Sequence, residues 1–256
     1  MKRFKLVVAY DGTNYCGWQI QPNGISVQEC LMKALSTFLR RGASRTDSGV
    51  HSFGNVAVFD SETTIPAEKL CFALNPQLPE DIRIMSSAQV ADYFHPRYCD
   101  TRKTYEYHIQ NGKIPLPTER LYSHLVIFPL DVEAMQEAGQ YLVGTHDFKS
   151  FCASKTQAQT TVRTVTGIEV ETHSLSEGEY PSQKVIIRVT GEGFLYNMVR
   201  IISGTLIKVG LGVYPPEYVK EILMKGTGFV GGKGRVCEIY QTEIDAGTRA
   251  KRIKAE

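Results

Sequence analysis

What limits the folding of this chain most tightly is the order of its apolar patterns, since each pattern must bury one face against another element. Lys5 to Tyr10 is a β-branched run closed by Asp11-Gly12-Thr13-Asn14, which predicts a strand and a turn. Ser26 and Glu29 fit a capping box, and Val27, Cys30, Leu31, Ala34, Leu35 and Phe38 recur at helical spacing behind it. Val56 to Phe59 predicts a short strand, PAEKLCFALN a second helix with Pro66 at its first turn, and DIRIMSSAQV a further strand. After Cys99 to Arg102 the order is repeated. The alternating strand TYEYHIQN leads to a helix at Asp131 to Val143, then to strands around Val162 to Thr172 and Lys184 to Val189. The series closes on a helix from about Phe194 to Gly210. The polar SLSEGEYPSQ joins two of those strands as an exposed hairpin loop. The two halves share element order without sharing sequence. The expectation is an α+β protein of two similar halves, residues 1–101 and 102–256, sharing a mostly antiparallel sheet flanked by helices.

Several classes of function are unsupported. The longest apolar run near the amino terminus is about five residues, too short for a signal sequence or a membrane span, so a cytoplasmic protein without a membrane partner is expected. The six cysteines are scattered with no CxxC and read as reduced thiols. The six histidines lack the i, i+4 pairing or carboxylate spacing of a metal site, so no metal is expected. MKGTGFVGGKGRVCE is glycine-rich but has Thr227 and Gly234 where a phosphate-binding loop needs Gly and Ser or Thr, and GEGFLYN lacks the third glycine of a dinucleotide fingerprint. No cofactor is expected. A formal charge of +2 neither favours nor excludes nucleic acid, and the cluster Arg249, Lys251, Arg252 and Lys254 is a local basic patch that solvation alone explains equally well.

What remains are polar residues in unusual settings. GASRTDSGVHSFGN sets Asp47 two residues from Arg45 and at the head of an Asp-Ser-Gly turn. By itself that is also what a capped turn looks like. Arg200 falls in the middle of the apolar helical stretch FLYNMVRIISGTL, where a guanidinium is costly to desolvate unless a carboxylate meets it or its stem reaches water. If Asp47 is that carboxylate, it stays ionised at neutral pH, as a nucleophile or base requires. Tyr105 and Tyr107 lie on one strand, where a ring either packs in the core or offers a flat surface to a base.

The chain resembles the tRNA pseudouridine synthase A family. The resemblance is carried by YDGTNYCGWQIQ (10–21), SVQECLMKAL (26–35), RTDSGVHS (45–52), ALNPQLPEDI (73–82), FHPRY (94–98), KTYEYHI (103–109), GTHDFKSF (144–151), VRTV (162–165) and GFLYNMVRIISGTL (193–206). Nine blocks in this order span most of the chain, and the R-T-D-x-G-V-H block is highly specific. The resemblance implies the pseudouridine synthase fold and isomerisation of uridine in the anticodon stem-loop of tRNA, at positions 38 to 40. It implies that Asp47 is the catalytic aspartate and that Tyr105 stacks on the target base, with removal of the C5 proton open to it as a second task. Arg200 becomes the partner of Asp47, and Arg45 holds the flipped nucleotide's place or its phosphate. Thr46, His51 and Arg97 fall in the same blocks as substrate-binding residues. It further implies a homodimer, and neither metal nor cofactor. A different RNA target on the same fold, or RNA binding without catalysis, are the alternative readings. Three places depart from the family pattern: Ser44 stands where Gly is usual, the segment between Arg41 and Arg45 is short, and the stretch after Gly226 does not follow the usual closing pattern.

Overall fold

The computed structural model describes residues 1–35, 41–42, 46–96, 99–153, 158–225 and 239–250; of 41–42, 99–100 and 239–250 the backbone alone is described. The chain divides into two units, Met1–Arg102 with Tyr240–Glu256, and Lys103–Ile239. The α+β class follows from either unit taken by itself.

In the first unit, β1 (Lys2–Tyr10) alternates strictly, with Phe4, Leu6, Val8 and Tyr10 buried on one face. Helix α1 (Val27–Ala34) begins as its capping box predicts: Ser26 is extended, its hydroxyl accepts the Glu29 amide at 3.2 Å, and Val27, Leu31 and Ala34 face inward. β2 (Arg41–Gly42) is followed by β3 (His51–Ser61), then by a 3-10 turn at Ala67–Lys69, α2 (Leu70–Leu74) and β4 (Ile82–Val90). β1 is the central strand, antiparallel to β3 from Lys2↔Ser61 to Tyr10↔Ser52 and to β4 from Arg3↔Val90 to Tyr10↔Ile82. Its inward residues join Trp18, Val27, Leu31, Phe59, Leu70, Leu74 and Ile84 in one core. Asn75 ties α2 to β4, donating to the Ile84 carbonyl at 3.0 Å and accepting the Ile84 amide at 2.7 Å.

β3 starts five residues earlier than its apolar run predicts. His51 to Asn55 is polar apart from Phe53 and contains a glycine, and pairing with β1 makes it strand nonetheless, so tertiary context overrides propensity there.

In the second unit, β5 (Cys99–Gly112), which crosses the boundary in the chain, pairs antiparallel with β9 (Ser182–Gly191) from Lys103↔Gly191 to Gly112↔Ser182. β6 (His124–Val126) lies parallel on β5. After α3 (Val132–Gln140), capped by the Asp131 carboxylate, β7 (Gly144–Asp147) and β8 (Val162–Ser176) extend the sheet in the order β5-β9-β8-β7. SLSEGEYPSQ does join β8 to β9, but the strands run into it to Ser176 and from Ser182, so the exposed hairpin loop is 177–181. Helices α4 (Met198–Gly210) and α5 (Tyr218–Lys225) follow. α3 packs on α4 and on β8, enclosing Met135, Ala138, Leu142, Ile168, Ile202 and Leu206.

One helix boundary differs from expectation. α4 begins at Met198, not Phe194, because Asn197 takes φ 59 and ends the turn before it. Arg200 therefore occupies the first helical turn rather than the middle of the helix. There the positive end of the helix dipole adds to the need for a negative partner.

The strand Ile239–Ala250, β10, was not anticipated from the sequence and pairs parallel with β3 at Tyr240↔His51 and Gln241↔Ser52. Among the described residues no helix is long and apolar enough to cross a membrane.

Candidate active site

Asp47 stands in the loop between β2 and β3, half-buried, at the head of a turn closed by the Val50 amide on the Asp47 carbonyl at 3.2 Å. Gly49 supplies φ 75 at the third position of that turn, a conformation that a side chain resists. The sequence reading of Asp-Ser-Gly as a tight turn is what the backbone adopts.

A second loop, Asp11 to Trp18, is folded around this turn. The Tyr15 carbonyl accepts the Gly49 amide at 3.2 Å and the Ser48 hydroxyl at 3.4 Å, and the Trp18 amide donates to the Thr46 carbonyl at 3.2 Å. The two glycines of this loop are needed for the approach. A Cβ on Gly17, whose φ is 106, would lie 2.5 Å from the Thr46 carbonyl oxygen, and one on Gly12 would lie 2.1 Å from the Val50 carbonyl oxygen. The loop in turn is tied to α1, since the Gly17 and Trp18 carbonyls accept the amides of Val27 and Gln28 at 3.2 and 3.0 Å. A loop held by backbone bonds on both sides presents its carboxylate on a rigid support, as a group acting on a single atom requires.

Thr46 is buried, its hydroxyl 2.8 Å from the Tyr10 hydroxyl. His51 is buried as well, with Nδ1 3.0 Å from Asp11 Oδ1 and 3.1 Å from the Gly12 amide nitrogen. One nitrogen cannot serve both: Nδ1 donates to the carboxylate when it carries a proton and accepts from the amide when it does not. Asp11 also accepts the amide and hydroxyl of Thr13, at 3.0 and 2.6 Å. Arg45 and Arg97 lie outside the described residues, as do Phe38, Ser44, the stretch 226–238 and the basic residues Lys251, Arg252 and Lys254.

In the second unit, Tyr105 and Tyr107 share a face of β5 by the two-residue period. Tyr107 is buried, and its ring centroid lies 6.4 Å from that of His124, whose pKa burial lowers. Tyr105 is half-buried beside Val189 of β9, and its ring meets Phe194 edge to face, centroids 5.1 Å apart and planes at 89°. Phe194 lies in the turn that opens α4, so one short segment, Phe194 to Arg200, supplies both the ring against Tyr105 and the candidate cation. Arg200 is half-buried.

On β5 itself the intervening residues turn the other way and serve structure. Glu106 accepts from Arg188 at 2.9 Å and lies 3.0 Å from His108 Nε2; Arg188 also reaches Glu171 at 2.8 Å and Glu169 at 3.3 Å. The hydrogen bond with His108, aided by Arg188, holds the Glu106 carboxyl below the usual range despite burial. Among the described residues no group of three or more His, Cys, Asp or Glu could hold a metal ion, and Cys16, Cys30, Cys71 and Cys152 are free thiols.

What the sequence did not single out is the framing of the Asp47 turn by Tyr15, Gly12 and Gly17. All three stand in the YDGTNYCGWQIQ block, and the two glycines were the available signal.

Comparison with known proteins gives a consistent result. A family model described as tRNA pseudouridine synthase matches residues 6–99 and 138–227. The tRNA pseudouridine synthase A of Thermoanaerobacter sp. (strain X514) is 46% identical over 228 residues, 87% of this chain and 90% of that protein. The tRNA pseudouridine synthase A 2 of Clostridium perfringens is 46% identical over 231 residues, covering 88% and 91% of the two chains. The tRNA pseudouridine synthase A of Bacillus licheniformis is 42% identical over 229 residues, covering 87% and 90%.

Proposed function

The chain belongs to the tRNA pseudouridine synthase family, and we propose that it isomerises uridine to pseudouridine in the anticodon stem-loop of tRNA, at positions 38 to 40. The observation that carries this reading is similarity along nearly the whole chain to tRNA pseudouridine synthase A, at 46% identity over 87% of its length. The rigid presentation of Asp47 by two interlocked loops supports it.

The reaction breaks the N1–C1′ bond, turns the uracil while it remains bound, and joins C5 to C1′. The C5 proton leaves and N1 gains one, so no redox step or external group is consumed. Asp47 acts at the ribose, either by attack on C1′ or as a base that leaves a glycal. Tyr105, its ring steadied by Phe194, stacks on the uracil, a contact worth about 1–3 kcal/mol per base. Removal of the C5 proton in the second half of the reaction is a second task open to it. Arg200 is the cation that keeps the Asp47 carboxylate ionised. Arg45, Thr46, His51 and Arg97 are the proposed substrate-binding residues. The uridine has to leave its stack before any of these groups reach it, at a cost of a few kcal/mol that binding in the pocket offsets. The remainder of the RNA is held through phosphates and shape. We further propose a cytoplasmic homodimer.

The test uses an unmodified tRNA transcript with uridines at positions 38 to 40, incubated with the parent protein and with Asp47→Asn, followed by carbodiimide treatment and primer extension. Modification at those positions by the parent alone is expected, with tRNA affinity nearly equal in the two proteins. Binding without modification by the parent would refute the assignment of those positions and redirect the search to another RNA.

A further inference from the structure

We propose that Tyr15 is a positioning residue for this reaction, its carbonyl holding the turn that presents Asp47 and its hydroxyl fixing that carbonyl through Asp81. The inference rests on the reading of Asp47 as the acting carboxylate.

Asp81, the residue before β4, holds the Asp11–Tyr15 segment at both of its ends. Its backbone carbonyl accepts the Asp11 amide at 2.9 Å, and its carboxylate Oδ1 accepts the Tyr15 hydroxyl at 2.6 Å. Between these points the Tyr15 amide donates to the Gly12 carbonyl at 3.0 Å, closing the segment on itself. The far end of the frame is the Tyr15 carbonyl, which receives Gly49 and Ser48 from the turn after Asp47. A continuous path of directional bonds therefore runs from the start of β4 to the residues flanking Asp47. The Tyr15 ring is buried in the core of the first unit, and a phenylalanine would bury the same ring. The hydroxyl adds one short, charge-assisted bond that fixes where along β4 the segment sits. Burial, and then the bond to Asp81, push the Tyr15 hydroxyl far above its ordinary pKa, so it remains a donor over the whole working range. Geometry at a reacting centre is sensitive to displacements of about 1 Å, which can cost on the order of 10²-fold in rate.

The measurement is single-turnover pseudouridine formation and tRNA affinity for the parent, Tyr15→Phe, Asp81→Ala, Asp81→Asn and Tyr15→Phe with Asp81→Ala. Tyr15→Phe and Asp81→Ala are expected to lower the single-turnover rate by roughly 10-fold or more while tRNA affinity stays within about twofold. Asp81→Asn, which keeps an oxygen able to accept from the hydroxyl, should recover most of the rate. The double variant should be no slower than either single one, because both break the same link. Amide hydrogen exchange at Gly49, whose amide donates to the Tyr15 carbonyl, is followed in the same proteins and should quicken in Tyr15→Phe. Folded Tyr15→Phe and Asp81→Ala with the parent's single-turnover rate would overturn the proposal, as would loss of fold in Tyr15→Phe and Asp81→Asn alike, which would make the pair a folding element. If the parent itself forms no pseudouridine, the proposed function fails, and the exchange at Gly49 alone decides the positioning role: an unchanged rate there refutes it.

Discussion

Replacing Gly12 by alanine is the sharpest single perturbation of the Asp47 support. The backbone at Gly12 does not need positive φ, so the substitution acts through contact alone. Its Cβ would stand 2.1 Å from the Val50 carbonyl oxygen, 2.5 Å from the carbonyl carbon and 3.0 Å from the amide nitrogen. All three atoms are backbone and cannot rotate away, so the two loops must separate by about 1 Å to reach ordinary packing distances. Val50 closes the turn on the Asp47 carbonyl, so any movement of Val50 either breaks that bond or carries Asp47 with it. A misplacement of about 1 Å translates into a rate loss on the order of 10²-fold, or about 2.7 kcal/mol of transition-state stabilisation. Overpacking would also remove about 1–3 kcal/mol of stability, so the comparison is made at a temperature where both proteins are folded. The assay is release of tritium from C5 of labelled uridine in a tRNA transcript under single-turnover conditions. Gly24→Ala is the control, because its Cβ would meet the Cys16 Cβ at an ordinary 3.4 Å, and it should react at the parent rate. A folded Gly12→Ala protein within about threefold of the parent, at equal tRNA affinity, would refute the argument that contact between these loops sets the position of Asp47.

Two further outcomes follow from the second unit. Gly204 sits within α4 with no atom within 4 Å of a built Cβ, apart from its chain neighbours and its own helix backbone. Gly204→Ala should therefore raise stability by about 0.5–1 kcal/mol through helix propensity, and a lower denaturant midpoint would contradict this. Glu106 is held below its ordinary pKa by His108 and Arg188, and Glu119 by Ser123 and Lys184 in spite of its burial. A carboxyl lowered on folding contributes stability that is complete above its unfolded pKa, about 4.5, and is lost as pH falls through the lowered folded value. Urea midpoints between pH 7 and 3 should thus fall less steeply for Glu106→Gln than for the parent; parallel curves would show that the network does not carry the acid sensitivity.

The legible parts of the chain were those in which local pattern and tertiary packing agree. The capping box at Ser26 and the alternation in β1 each determine one face, and the structure buries that face. The Asp47 turn was legible because aspartate and glycine have backbone preferences of their own. Reading failed where neighbours decide. His51 to Asn55 has little strand propensity and becomes strand by pairing with β1. Phe194 and Leu195 fit the apolar period of α4 yet precede it, since periodicity does not reveal a left-handed residue such as Asn197. Tyr15 illustrates the same limit at the site. Its ring is buried in the core of the first unit, whereas its carbonyl, invisible to any side-chain pattern, is the group that touches the Asp47 turn.

The parallel pairing of β10 with the first residues of β3 has a consequence for how the protein is made. On the ribosome β3 emerges roughly 190 residues before its partner, a delay on the order of 10–40 s at about 5–20 residues per second. Throughout that interval the nascent first unit carries the Asp47 loop next to an unpaired strand edge, the kind of template on which another chain can add. The order of synthesis thus makes the neighbourhood of Asp47 the last part of its own sheet to be completed.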